Sequence, residues 1–207
     1  MAVLQEQLQF VRSPKAVITR LATDSNAMST GLKHVLLLAV LYELAILLWA
    51  VGGATPTLPA FVSIPDDRYY YYQLIFMMPM IVTAWLVAAG VAYVLARLLG
   101  GNGSYDAILG GFGIATLFSS YFTLIPDFVQ GVLWTRGWVP FSEYQDATSR
   151  GPLLAVVWSY MLAYNVSHLI LYAATLRFSQ NLGTLKSAFV ATISFFVSVG
   201  LFITIVR

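Results

Sequence analysis

The sequence contains no cysteine, which excludes disulfides, thiolate zinc sites, iron–sulfur clusters and thiol nucleophiles together. Charge is scarce too. Only 10% of the 207 residues are Asp, Glu, Lys or Arg, against roughly a quarter in a soluble domain. The net charge is +2, and no basic block offers a surface for nucleic acid. No Gly-x-Ser-x-Gly elbow, no His-Glu-x-x-His zinc motif and no pair of intramembrane aspartates occurs. Two histidines with one nearby acid make a poor metal site. The expectation is a protein that is not an enzyme and needs no cofactor.

What fills the chain instead is apolar: 59% of its residues are hydrophobic, too many for the available polar residues to cover in water. Five stretches, near 33–52, 73–99, 105–127, 152–175 and 186–206, are long enough to cross a hydrocarbon core, which takes roughly 20 helical residues. Helix is the form expected, because an open strand would leave backbone groups unpaired in lipid. The fold class expected is therefore all-α, a polytopic membrane helical bundle of about five spans. Residues 31–207 form this domain and residues 1–30 a separate amphipathic segment. Pro79 should kink or tilt the second span, and Pro126 should end or bend the third.

The first thirty residues are mixed and polar and do not read as a cleavable signal peptide. Ser13 with Pro14 is a favourable helix start. Val17, Ile18 and Leu21 share one side, as do Leu4, Leu8 and Val11 upstream. Short amphipathic helices at the membrane surface are expected here. With five spans, Arg12, Lys15, Arg20, Lys33, Arg97, Arg177 and Lys186 fall on one side, and Arg68, Arg136, Arg150 and Arg207 on the other. That bias predicts an N-terminus inside and a C-terminus outside. Trp49, the Tyr69–Tyr72 run, Trp134, Trp138 and Trp158 would then form an aromatic belt at the outer interface. Asp127 would sit there too, either as a water-exposed interfacial acid, the favoured account, or capping the broken helix end or meeting Arg136 or Arg150.

Between lipid-embedded helices close packing relies on small residues. Ala84, Ala88, Ala92 and Ala96 line one face of the second span, and Ala107, Gly111, Ala115 and Ser119 one face of the third. Ser187, Ala191, Ser194 and Ser198 nearly do so on the fifth. In the intervening turn, Gly100 and Gly101 can end one helix and Ser104 can cap the next. The glycines lack the Gly-Lys-Ser/Thr ending of a phosphate loop.

Glu43 lies near the middle of the first span, where an acid costs on the order of 3 kcal/mol if charged. Asn165, His168, Tyr172 and Thr175 form a polar stripe on the fourth span. Glu43, Asn165, His168 and Tyr172 are the candidate intramembrane polar cluster, with Glu43 expected to contact Asn165 or His168. Such a cluster either glues helices together or relays protons and binds a small solute.

The five-span layout, the Arg12-Ser13-Pro14 lead-in to a surface helix and the turn Leu98-Leu99-Gly100-Gly101-Asn102-Gly103-Ser104-Tyr105-Asp106 resemble the YIP family, the Ypt/Rab-interacting membrane proteins, in its short bacterial form. The resemblance implies a five-helix membrane domain with a cytosolic N-terminus, placed in the bacterial inner membrane. The chain lacks the long N-terminal region and the Asp-Leu-Tyr-Gly-Pro motif of members that bind Rab GTPases. The function expected is a non-catalytic membrane organiser, trafficking-like adaptor or accessory subunit. Its partners would be the lipid bilayer and other membrane protein subunits, or itself, met through the small-residue faces or the outer loop. The alternative is a small transporter or channel subunit with its polar site at Glu43, Asn165 and His168.

Overall fold

The computed structural model of the chain describes residues 2–56, 64–140, 142–143, 150–151 and 153–206. Its α-helices are α1 (Ala2–Arg12), α2 (Pro14–Thr23), α3 (Ala27–Val51), α4 (Tyr69–Leu98), α5 (Tyr105–Thr135), α6 (Leu154–Ser179) and α7 (Thr184–Val206), with a single 3-10 turn at Asp66–Arg68 before α4. Helices α3 to α7 are long and apolar enough to cross a membrane. The protein is an all-helical, multi-pass membrane bundle. The end at which α3 begins is called the near end below, and the other the far end.

The spans close into a ring. Helix α3 packs on α4 and α5, α4 on α7, α5 on α6, and α6 on α7. Helix α4 also crosses α5, where Trp85 Nε1 donates to the Leu109 carbonyl at 3.0 Å. The tightest seam joins α3 to α5. A Cβ on Gly113 would strike the Gly31 backbone, and one on Gly110 would come 2.8 Å from the Ala27 carbonyl oxygen. Toward the far end the same two helices meet again, with the Cβ position of Gly131 2.8 Å from Leu48 Cβ.

Helix α5 does not end near Pro126; it runs on to Thr135. Proline removes one amide from the helical ladder, but α3 holds the segment beyond it. Trp49 Nε1 donates to the Asp127 carbonyl at 3.0 Å, and the Thr135 hydroxyl donates to the Leu48 carbonyl at 3.1 Å. Pro79 likewise lies inside a continuous α4.

The small-residue faces point inward. Ala84, Ala88, Ala92 and Ala96 are buried, as are Ala107, Gly111, Ala115 and Ser119, and Ser187, Ala191 and Ser194 on α7. They are consumed within the chain, so a partner cannot use them as the sequence reading supposed. At the far end Trp49 packs edge-on against Tyr70 at 5.4 Å and lies 5.9 Å from Trp134, while Trp138 and Trp158 are exposed. Of the long connection before α6, Ser142 and Glu143 are helical, and residues 141 and 144–149 lie outside the described residues.

Pro14, which cannot donate an amide, separates α1 from α2. The two fold back on each other, with Arg20 Nη2 donating to Glu6 Oε1 at 3.3 Å. On α2, Val17, Ile18 and Leu21 are buried against the bundle. Helix α1 turns its apolar stripe away from the bundle. Phe10 and Gln7 are buried while Leu4, Leu8 and Val11 face away from the bundle. Gln7 Nε2 donates to the Ile114 carbonyl at 3.1 Å, nine residues into α5, or roughly 14 Å along its axis. Beneath α1, His34 is fully buried, bonded through Nδ1 to the Thr30 carbonyl at 2.8 Å and 3.8 Å from Glu6.

If the α3–α5 seam sets the bundle, Gly113→Ala should destabilise it by about 1–3 kcal/mol, the usual cost of overpacking. Gly90→Ala, whose added methyl meets nothing within 4 Å, should be neutral or slightly stabilising. Thermal unfolding of the two variants in mild detergent measures the difference.

Candidate functional site

A cavity of about 510 Å³ lies inside the ring, and all five spans line it. Helix α3 contributes Leu38, Tyr42 and Trp49, α4 contributes Ile81, Ala84 and Trp85, and α7 contributes Ser198, Val199, Phe202 and Ile203. The polar wall comes from α5 and α6. On α5, Thr116, Ser120, Thr123 and Asp127 follow one another at intervals of four, three and four residues, the spacing of one helix face. On α6, Tyr160, Tyr164, His168 and Tyr172 recur every fourth residue, with Asn165 beside them.

The deep end is closed by well-matched contacts. Tyr172 stacks on Phe112 with ring centres 3.6 Å apart, and its hydroxyl shares a hydrogen bond with Thr116 Oγ1 at 2.9 Å. His168 Nε2 lies 3.4 Å from Thr116 Oγ1, and its ring packs edge-on against Tyr164 and Tyr172. Midway, the Tyr42 hydroxyl is paired with Thr123 Oγ1 at 2.8 Å. Toward the far end stand Asp127 and Trp49. Thr116 and Asp127 are eleven residues apart on α5, so the polar groups extend over roughly 16 Å. The Asp127 carboxylate makes no hydrogen bond or ion pair among the described residues, while its backbone carbonyl accepts from Trp49.

Of the expected cluster, the cavity gathers Asn165, His168 and Tyr172 and leaves out Glu43. Helices α3 and α6 face each other across the cavity, with α5 packed against both. It is Tyr42 that looks into it, and the next residue lies about 100° round the helix. Glu43 is half-buried, makes no hydrogen bond or ion pair among the described residues, and does not meet Asn165 or His168. Asn165 Nδ2 donates to the Met161 carbonyl of its own helix at 2.7 Å. Asp127 is the acid of the site, rather than an exposed interfacial group. The Thr116–Asp127 periodicity was the signal that could have located it. Among the described residues no three histidine or acidic side chains converge to hold a metal ion.

The glycine-rich turn takes a purely architectural form. Gly100, at φ +92°, ends α4 with Gly101 N bonded to the Ala96 carbonyl and Gly100 N to that of Arg97, a Schellman arrangement. Ser104 caps α5 through the Ala107 amide at 3.2 Å. Gln180 Nε2 donates to the Ser104 carbonyl at 2.9 Å, Asn181 to Asn102 at 2.8 Å, and Lys186 Nζ to the Leu99 carbonyl at 2.9 Å. A Cβ on Gly103 would collide with the Ser179 carbonyl. The turn binds the α6–α7 connection to the α4–α5 connection.

Compared with known proteins, the chain matches no family model, no curated protein and no solved structure.

Removing the Tyr172 hydroxyl (Tyr172→Phe) should cost about 0.6–2 kcal/mol, the range for a hydrogen bond between membrane helices. Asn165→Ala, which breaks only a bond to its own helix, should cost less than about 0.5 kcal/mol. Equal losses in detergent unfolding would mean that Asn165 has an interhelical role.

Proposed function

We propose that this chain is a non-catalytic, multi-pass membrane protein that works by binding a small, largely apolar molecule between its spans, as a carrier or channel-type subunit does. The observation that carries this reading is the cavity itself. Its volume of about 510 Å³ falls in the range of roughly 300–1,000 Å³ typical of small-molecule sites. Apolar walls with a few convergent polar groups are the usual make-up of such a site, and intramembrane ionisable groups commonly mark one. The contacts of Tyr172 with Phe112 and Thr116 close its deep end. The positive-inside rule supports placing the near end in the cytoplasm, because that end carries seven of the eleven Lys and Arg residues.

A second reading, a YIP-type organiser or accessory subunit, draws support from the Leu98–Asp106 turn and the five-span plan. With the small-residue faces buried inside the bundle, a protein partner would have to use an outward face. Helix α6 offers the broadest, with Val156, Leu162 and Ile170 exposed.

One purification separates the two. Released from native membranes in mild detergent, the protein should carry a small molecule visible as added mass in native mass spectrometry. Ala84→Phe, which puts a ring into the cavity, should remove that mass while the protein stays monodisperse. A stoichiometric membrane partner, with no bound molecule in either form, would favour the organiser reading.

A further inference from the structure

We infer that the cavity accepts an elongated organic cation, an amine or quaternary ammonium with an apolar body, whose charged head sits at Asp127. This rests on the cavity being a ligand site and specifies its chemistry. Among the described residues, Asp127 is the only formally charged side chain on the lining, with no lysine or arginine beside it. Among the described residues its carboxylate has neither a hydrogen bond nor an ion pair. Three other polar groups of the wall are engaged within the protein. The Tyr42 hydroxyl is matched by Thr123 and that of Tyr172 by Thr116, and Asn165 is turned to its own helix. One acidic side chain is thus left over for whatever enters.

The surroundings suit a cation of low hydration. Trp49 and Tyr42 join Asp127 on the lining, and Tyr160 and Tyr164 line it from α6. Aromatic faces attract ammonium groups, most strongly those with alkyl substituents and where water is excluded. An anion would meet a carboxylate with no compensating base. A neutral body alone would leave that carboxylate desolvated and unpaired, which is costly.

Shape narrows the class further. The volume of about 510 Å³ is drawn out over the roughly 16 Å between Asp127 and Thr116, so the ligand is long and narrow. Between these ends the wall combines Leu38, Ile81, Val199 and Phe202 with hydroxyl groups such as those of Ser120 and Thr123, and among the described residues it holds no second acid to meet a second positive charge. A polyamine therefore fits poorly, whereas a single ammonium on an aryl or alkyl body fits well.

The test uses one body with three heads: phenylbutylamine, phenylbutanol and phenylbutyrate, titrated at neutral pH into the full-length protein in nanodiscs by calorimetry. The amine should bind saturably at one site, at least about tenfold more tightly than the alcohol, as expected for a charge-assisted contact. The acid should bind more weakly than either. Asp127→Asn should remove the amine's advantage over the alcohol, and thermal unfolding of the variant in mild detergent shows that it is folded. Equal affinity for amine and alcohol would overturn the cation assignment while leaving the cavity as a ligand site. Undiminished amine binding by Asp127→Asn, or no amine binding by the native protein, would overturn it as well.

Discussion

Everything else in this bundle depends on the close approach of α3 and α5. Lipid tails are as apolar as leucine, so burial gives membrane helices little reason to associate, and contact distance decides which pairs hold. Gly31, Gly110 and Gly113 let the two backbones meet without intervening side chains. Because both helices run from near end to far end, one register then serves the whole length. Tyr42 pairs with Thr123, Trp49 with the Asp127 carbonyl and Thr135 with the Leu48 carbonyl, at sequence separations of 81, 78 and 87 residues. A side chain at the glycine crossing would force these helices apart and take the far-end hydrogen bonds with it.

The near end is secured by different means. The two turns there, between α4 and α5 and between α6 and α7, are joined by side chain–backbone hydrogen bonds from Gln180 and Lys186 and by the Asn102–Asn181 pair. Buried α2 and the Gln7–Ile114 bond add the N-terminal hairpin to the same end. Trp85 and the Phe112–Tyr172 stack fill the space between spans just inside it. With that end tied, the free volume of the bundle collects toward the far end, where larger side chains and the wide ring of five helices leave it open.

Much of this was legible in the residues. Long apolar runs define the spans, alanine and glycine at four-residue spacing mark buried faces, and Gly100 with Ser104 defines a turn. What the residues could not disclose is which faces meet. Glu43 and the Asn165–His168 stripe lie at comparable depths, but depth along the axis says nothing about azimuth, and the azimuth belongs to Tyr42. Pro126 looked like a helix end because proline breaks an isolated helix; tertiary bonds from Trp49 and Thr135 override it. Helix α1 keeps its apolar stripe of Leu4, Leu8 and Val11 outward, the side an amphipathic surface helix gives to lipid. Beside lipid, the polar Gln7 gains more from finding a carbonyl inside the protein than leucine gains from leaving the bilayer.

The same reasoning sets Asp127 apart from the other acid within the spans. Glu43, half-buried on the lipid-embedded α3, has no enclosed space before it, and nothing in its position organises neighbouring groups. Asp127 follows a proline on a helix that only α3 keeps continuous, and its own backbone carbonyl is one of the groups that does so. Its side chain is therefore held where the five spans leave a shared volume, with tyrosines and tryptophans on the same wall. An unpaired carboxyl group that is partly removed from water is unfavourable. The fold could have been built without it, since the Trp49 bond uses only the backbone of residue 127. An acid that contributes no bond to the architecture, yet is positioned by that architecture inside a cavity, is better accounted for by what the cavity holds than by how the helices pack.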